Sequence, residues 1–99
     1  MQHHVYFWIK EEHKNAETLA AFEKGLEAMT KIEHTATGGW GKPAKTLVRP
    51  VSDNTFDYGL YITFDSIEKH DAYQVDPEHD VFVDSFKEIW EKVRVSDVE

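Results

Sequence analysis

Phe56-Asp57-Tyr58-Gly59-Leu60-Tyr61-Ile62-Thr63-Phe64 alternates with a period of two: Phe56, Tyr58, Leu60, Ile62 and Phe64 share one side, and Asp57, Gly59, Tyr61 and Thr63 share the other. Successive side chains of an extended chain point to opposite faces, so this is a strand with one dry face. A helix able to cover such a face lies upstream, where Leu19, Phe22, Leu26, Met29 and Ile32 recur at steps of three and four between Asn15 and Ile32. His3 to Lys10 is aromatic and β-branched and reads as a first strand; Glu33 to Trp40 reads as a second, broken by Gly38, Gly39, Gly41 and Pro43. Asp65, with Glu68 three residues later, opens a short helix to about Gln74. Pro77, preceded by Asp76 as N-cap, opens another helix with an inward stripe through Phe82, Phe86, Ile89 and Trp90. Lys92 to Val98 closes the chain as a strand.

This order predicts a single α+β domain over residues 1–99 with a ferredoxin-like βαββαβ plan and an extra helix before the last strand. Helices then cover one face of an antiparallel sheet and leave the other bare. The first strand is apolar on both sides. We assign His4, Tyr6 and Trp8 to the helix side, and Val5, Phe7 and Ile9, with Tyr61, to the bare side. A bare face of that kind predicts a homodimer packed sheet to sheet; the alternative is a monomer whose second face is covered by the loop from Gly38 to Thr55.

Composition narrows the functional classes. Nineteen acidic against eleven basic residues give a net charge of −8, which opposes binding to nucleic acid or to anionic membranes. No cysteine is present, so thiol nucleophiles, thiolate metal sites and disulfides are absent. The longest apolar run, Val5 to Ile9, is too short for a membrane span, and a cytoplasmic protein is expected. His3 and His4 look to opposite faces, and His13, His34 and His70 show no ligand-like spacing with a carboxylate, so no metal site and no cofactor are expected. The acid-free stretch from His34 to Ser52 carries Lys42, Lys45 and Arg49; it is either a solvated loop or a cationic lip that attracts an anionic ligand.

The helix break at Asp76-Pro77 sets Tyr73 in the last turn of one helix and His79 in the first turn of the next. A phenol and an imidazole held at such a junction are candidate catalytic acid and base. Asp97 on the closing strand is the candidate that orients the imidazole. His4, Tyr6, Trp8, Phe22, Tyr58, Leu60, Phe86 and Trp90 are the candidate lining of a pocket between sheet and helices, suited to a flat or oily ligand. Two plainer readings stand beside these: the aromatic residues are ordinary core, and Tyr73 and His79 tie two helices together by hydrogen bonds.

The residues also carry a resemblance. His4 before an apolar first strand, Gly41-Lys42-Pro43-Ala44-Lys45-Thr46, Arg49-Pro50-Val51, Phe64-Asp65-Ser66, and above all Ala72-Tyr73 followed by Asp76-Pro77-Glu78-His79 and Phe82 make the chain similar to the stress-responsive α/β barrel (Dabb) family over nearly its whole length. The resemblance implies a ferredoxin-like protomer that dimerises through its sheets into a dimeric α+β barrel. It also implies, from plant members that cyclise polyketides, acid and base roles for Tyr73 and His79 beside a pocket. Three functions follow as expectations: binding of a small hydrophobic or aromatic carbonyl compound with cofactor-free cyclase, lyase or isomerase chemistry; a non-catalytic stress-response or structural dimer; or a cofactor-independent monooxygenase.

Overall fold

The computed structural model describes residues 1–99 as β1 (Gln2–Ile9), α1 (Ala16–Met29), β2 (Thr37–Gly41), β3 (Tyr58–Thr63), α2 (Ile67–Gln74), α3 (Pro77–Phe86) and β4 (Trp90–Val98), with single 3-10 turns at Glu11–His13 and Lys87–Ile89. The four strands form one antiparallel sheet in the order β2-β3-β1-β4, and all three helices lie on one of its faces. This is the ferredoxin-like α+β architecture, with its second helix split in two at Asp76-Pro77.

Each helix begins where a side chain accepts an otherwise unpaired N–H. Asn15 Oδ1 takes the Thr18 N–H at 2.9 Å, and Asp76 Oδ1 takes that of Glu78 at 2.8 Å, with Pro77 as the first helical residue. The cap of α2 is Ser66, which accepts from Lys69 at 3.2 Å; Asp65, expected in that role, instead pairs with the Lys69 ammonium. The strand expected from Glu33 begins only at Thr37, because the chain leaving α1 makes a turn in which His34 takes a φ of 82°.

The faces of β1 are the reverse of the sequence assignment. His3, Val5, Phe7 and Ile9 are buried against the helices, whereas His4, Tyr6 and Trp8 point to the bare side with Tyr61. Both sets are large and apolar, but only the second carries polar tips. Val, Phe and Ile have nothing to satisfy in a closed core, while imidazole, phenol and indole each need a partner or water. Trp8 finds one, its indole N–H donating to Thr55 Oγ1 at 3.0 Å. Phe56 belongs to the bare side too: it lies ahead of β3, and its ring packs 4.9 Å from that of Tyr6. Tyr61 lies across its β2 neighbour Gly39, where a Cβ would come within 2.8 Å of the ring.

On the helix side, Phe22 and Leu26 of α1 are wholly buried, and the Phe22 ring meets those of Phe7 at 5.2 Å and Tyr58 at 5.3 Å, both edge to face. The end of β1 is pinned by a side chain. Its pairing with β4 shifts register between Trp8 and Ile9, and the Ile9 N–H donates to Asp57 Oδ2 at 2.7 Å. Asp57→Ala strands that donor and is expected to lower stability by about 1–3 kcal/mol, with Asp57→Asn, which still offers an oxygen, costing less. Urea unfolding of the two variants measures the difference, and equal losses would contradict this role.

Candidate functional site

The helices do not reach across the whole sheet. β4 is an edge strand, and Val93 and Val95, which face the helix side, remain 38% and 51% exposed. Between this uncovered strip and helices α2 and α3 lies a cavity of about 360 Å³. Tyr73, His79 and Phe82 supply its helical wall; Val5, Leu60, Trp90 and Asp97 are among the residues of its sheet wall. Most of the lining is apolar, so the few polar groups decide what it can hold.

Tyr73 ends α2 and His79 begins α3, and the Asp76-Pro77 break turns both rings into the cavity. Their centroids are 5.2 Å apart, edge to face at 77°, and no hydrogen bond joins them. The two helices thus meet here by ring packing and not by a hydrogen bond between these side chains. Burial alone raises the Tyr73 pKa well above the ordinary phenol value, and no side chain bonds its hydroxyl, so it is a protonated donor without a protein partner. Burial is also the largest influence on His79 and lowers its pKa against the opposing pull of Asp80 and Asp76, leaving a neutral imidazole. From sequence the helix N-terminus and the carboxylates of Asp76, Glu78 and Asp80 pull in opposite directions and leave the shift undecided; burial decides it.

Asp97 is in the cavity wall but does not orient His79. Its Oδ1 sits 2.5 Å from His3 Nδ1, since His3 and Asp97 are register partners across β1 and β4. Of the residues expected to line the pocket, Leu60 and Trp90 do so. Phe22, Tyr58 and Phe86 do not: Phe22 is closed core, the Tyr58 hydroxyl donates to Glu23 Oε2 at 2.7 Å, and Phe86 packs on the far side of α3 against Gly25. His4, Tyr6 and Trp8 lie on the opposite face of the sheet, for the reason given above, and His4 Nε2 meets Gln2 Oε1 at 3.0 Å. The cationic loop also lies away from Tyr73, with Lys42 3.8 Å from Glu23.

Two functional candidates escaped the sequence reading. His3, assigned outward as a consequence of facing His4 inward, is only 4% exposed and lines the cavity. His70 does meet carboxylates: Nδ1 is 3.0 Å from Asp71 Oδ1, and Nε2 is 4.0 Å from Asp97 Oδ1. The parity of Val5, Phe7 and Ile9 was the signal that could have found His3.

Burial lowers the His3 pKa as well, against its bond to Asp97, so both His3 and His79 take up a proton less readily when folded than when unfolded. The unfolded chain therefore binds more protons as pH falls through 6.5, and stability is lost from that value down through the folded pKa values. The thermal midpoint is expected to fall over that window, and less steeply in His79→Asn. A flat midpoint in the wild type would contradict the buried, neutral assignment.

The stress responsive A/B barrel domain model matches residues 1–99. Among solved structures, a protein of Arabidopsis thaliana superposes with a TM-score of 0.78 at 23% identity, covering 99% of this chain and 92% of that one. A dimeric protein of ferredoxin-like fold from Bacteroides fragilis gives 0.74 at 24%, covering 99% and 93%. A hydroxynitrile lyase from Passiflora edulis gives 0.78 at 18%, covering 96% and 87%. No curated protein matches by sequence. No helix is long and apolar enough to cross a membrane. With the family match spanning the whole chain and the four-stranded sheet and helices in agreement with it, the chain belongs to the stress-responsive A/B barrel (Dabb) domain family.

Proposed function

We propose that the protein binds a small hydrophobic or aromatic carbonyl compound in the cavity beneath α2 and α3 and acts on it by acid–base chemistry. The observation that carries this reading is a tyrosine of the buried core whose hydroxyl has no protein partner and lines a mostly apolar cavity beside a neutral histidine. With no protein acceptor in reach, that O–H is free to donate to a ligand oxygen. In this role Tyr73 donates to the oxygen on which negative charge develops, and His79 removes a proton from the adjacent carbon or hydroxyl. A cyanohydrin fits the same geometry: His79 takes the hydroxyl proton, the freed oxygen pair closes the carbonyl as the carbon–carbon bond breaks, and cyanide leaves with that bond's electrons and takes the proton from the imidazolium, departing as hydrogen cyanide and leaving the aldehyde. The similarity to the Passiflora edulis lyase makes that chemistry a sensible first probe.

Aromatic aldehydes titrated against the labelled protein should perturb resonances of Tyr73 and His79, and an aromatic cyanohydrin should be cleaved. Tyr73→Phe is expected to lower kcat by about 10²–10³-fold, and His79→Ala by about 10²–10⁴-fold. With His79 as base, the rate should fall on acidification only below the usual imidazole range. Unchanged turnover in both variants removes the catalytic pair; binding without turnover in the wild type leaves a ligand-binding dimer.

The same reading includes a homodimer. Tyr61 is 48% exposed on the bare face, where His4, Tyr6, Trp8 and Phe56 extend an aromatic surface, and similar solved proteins are dimeric. Burying that surface against a second copy would remove it from water. Sedimentation should show a dimer that Tyr6→Glu with Tyr61→Lys converts to single subunits, and a wild type that remains single at micromolar concentration would refute the assembly.

A further inference from the structure

We propose that His3, His70 and Asp97 form a site for a divalent transition-metal ion of the zinc type, at the rim of the cavity and distinct from the Tyr73–His79 pair. Each offers one ligand atom, and the three atoms lie within 4.8 Å of one another. Asp97 Oδ1 is 2.5 Å from His3 Nδ1 and 4.0 Å from His70 Nε2. Ligands of a tetrahedral zinc with bonds of about 2.0–2.1 Å stand about 3.4 Å apart, so the observed separations bracket the required one. Small rotations suffice, and Asp97, whose side chain is 43% exposed near the end of an edge strand, is free to make them.

The surroundings are those of a metal-binding pair of imidazoles. His70 Nδ1 faces the Asp71 carboxylate at 3.0 Å, which fixes the proton on that nitrogen and leaves the Nε2 lone pair turned toward the cluster. The His3 and His70 rings are 5.0 Å apart, too close for two imidazolium charges to be comfortable. The Gln74 amide reaches both Nε2 atoms, at 3.5 Å from His3 and 3.4 Å from His70. When an ion enters, it replaces the proton between His3 Nδ1 and Asp97. That proton moves to His3 Nε2, where the Gln74 amide, turned over, accepts it, and the ring stays neutral. Two nitrogens and one carboxylate suit zinc and leave at least one coordination position for water or a ligand. A second hollow, between Asp97, Glu99 and the start of α2, opens on His70 and Asp97 from outside and gives a hydrated cation an acidic way in.

The test is a titration of the full chain with Zn²⁺ against a chromophoric chelator, paired with the visible spectrum after Co²⁺ addition. The expected result is one saturable site per chain and ligand-field bands of four-coordinate intensity. Asp71→Ala, which removes an outer partner, should weaken binding by about 10–100-fold. His70→Leu and Asp97→Asn should weaken it by more than that and abolish the bands, while His79→Ala leaves affinity unchanged. Circular dichroism on the same samples confirms that each variant is folded. Wild-type affinity in both His70→Leu and Asp97→Asn, or loss confined to His3 variants, would overturn the site, and neither outcome depends on any turnover.

Discussion

Everything in this fold depends on which face of β1 is dry. The strand is central, flanked by β3 and β4, so its parity sets that of the sheet. Val5, Phe7 and Ile9 face the helices because they can be enclosed without leaving a polar atom unpaired. His3 is carried inward by the same parity, and the antiparallel register then brings Asp97 beside it from the far end of the chain. Turning the strand over would move His3 out, Tyr6 and Trp8 in, and leave the cavity without its acid-bonded histidine.

The cavity itself is a consequence of incomplete coverage. Three short helices roof β1 and β3 but stop before β4, and the half-exposed Val93 and Val95 mark the margin. A chain of this size has too little helix to cover a four-stranded sheet fully. The break at Asp76-Pro77 uses that shortage. It divides what would be one helix into two, and the two ends that meet there carry Tyr73 and His79 to the uncovered edge.

Periodicity in the sequence revealed the architecture, because strand and helix repeats are local properties: the alternation from Tyr58 to Phe64 and the three-four spacing of Leu19 to Met29 both correspond to observed elements. The Tyr73–His79 junction was equally legible, since Pro77 allows few backbone conformations. Facing was not. In a strand apolar on both sides the one sign of facing, the polar tips of His4, Tyr6 and Trp8 against the plain Val5, Phe7 and Ile9, is faint, so reading the strand the other way round puts those three in the cavity and misses His3. The partner of Asp97 was illegible for the same reason, as it depends on register between strands separated by almost the whole chain.

Giving Asp97 to His3 instead of His79 has a chemical consequence. A carboxylate bonded to a catalytic imidazole fixes its tautomer and stabilises the imidazolium that forms on proton transfer. His79 has no such partner; its nearest acids, Asp80 and Asp76, act on it only through space and are outweighed by burial. As the proposed base it would therefore be a weak one, suited to protons already acidified by an adjoining carbonyl or nitrile. In the proposed reaction the share of the work that would fall to Tyr73 is correspondingly large, because a weak base can act only where the anion it creates is held by a strong, dry hydrogen bond. Burial of the phenol, which keeps it protonated, and burial of the imidazole, which keeps it neutral, arise from the same enclosure by α2 and α3. Loosening that enclosure would solvate both groups together, bringing the two pKa values back toward their ordinary positions at once.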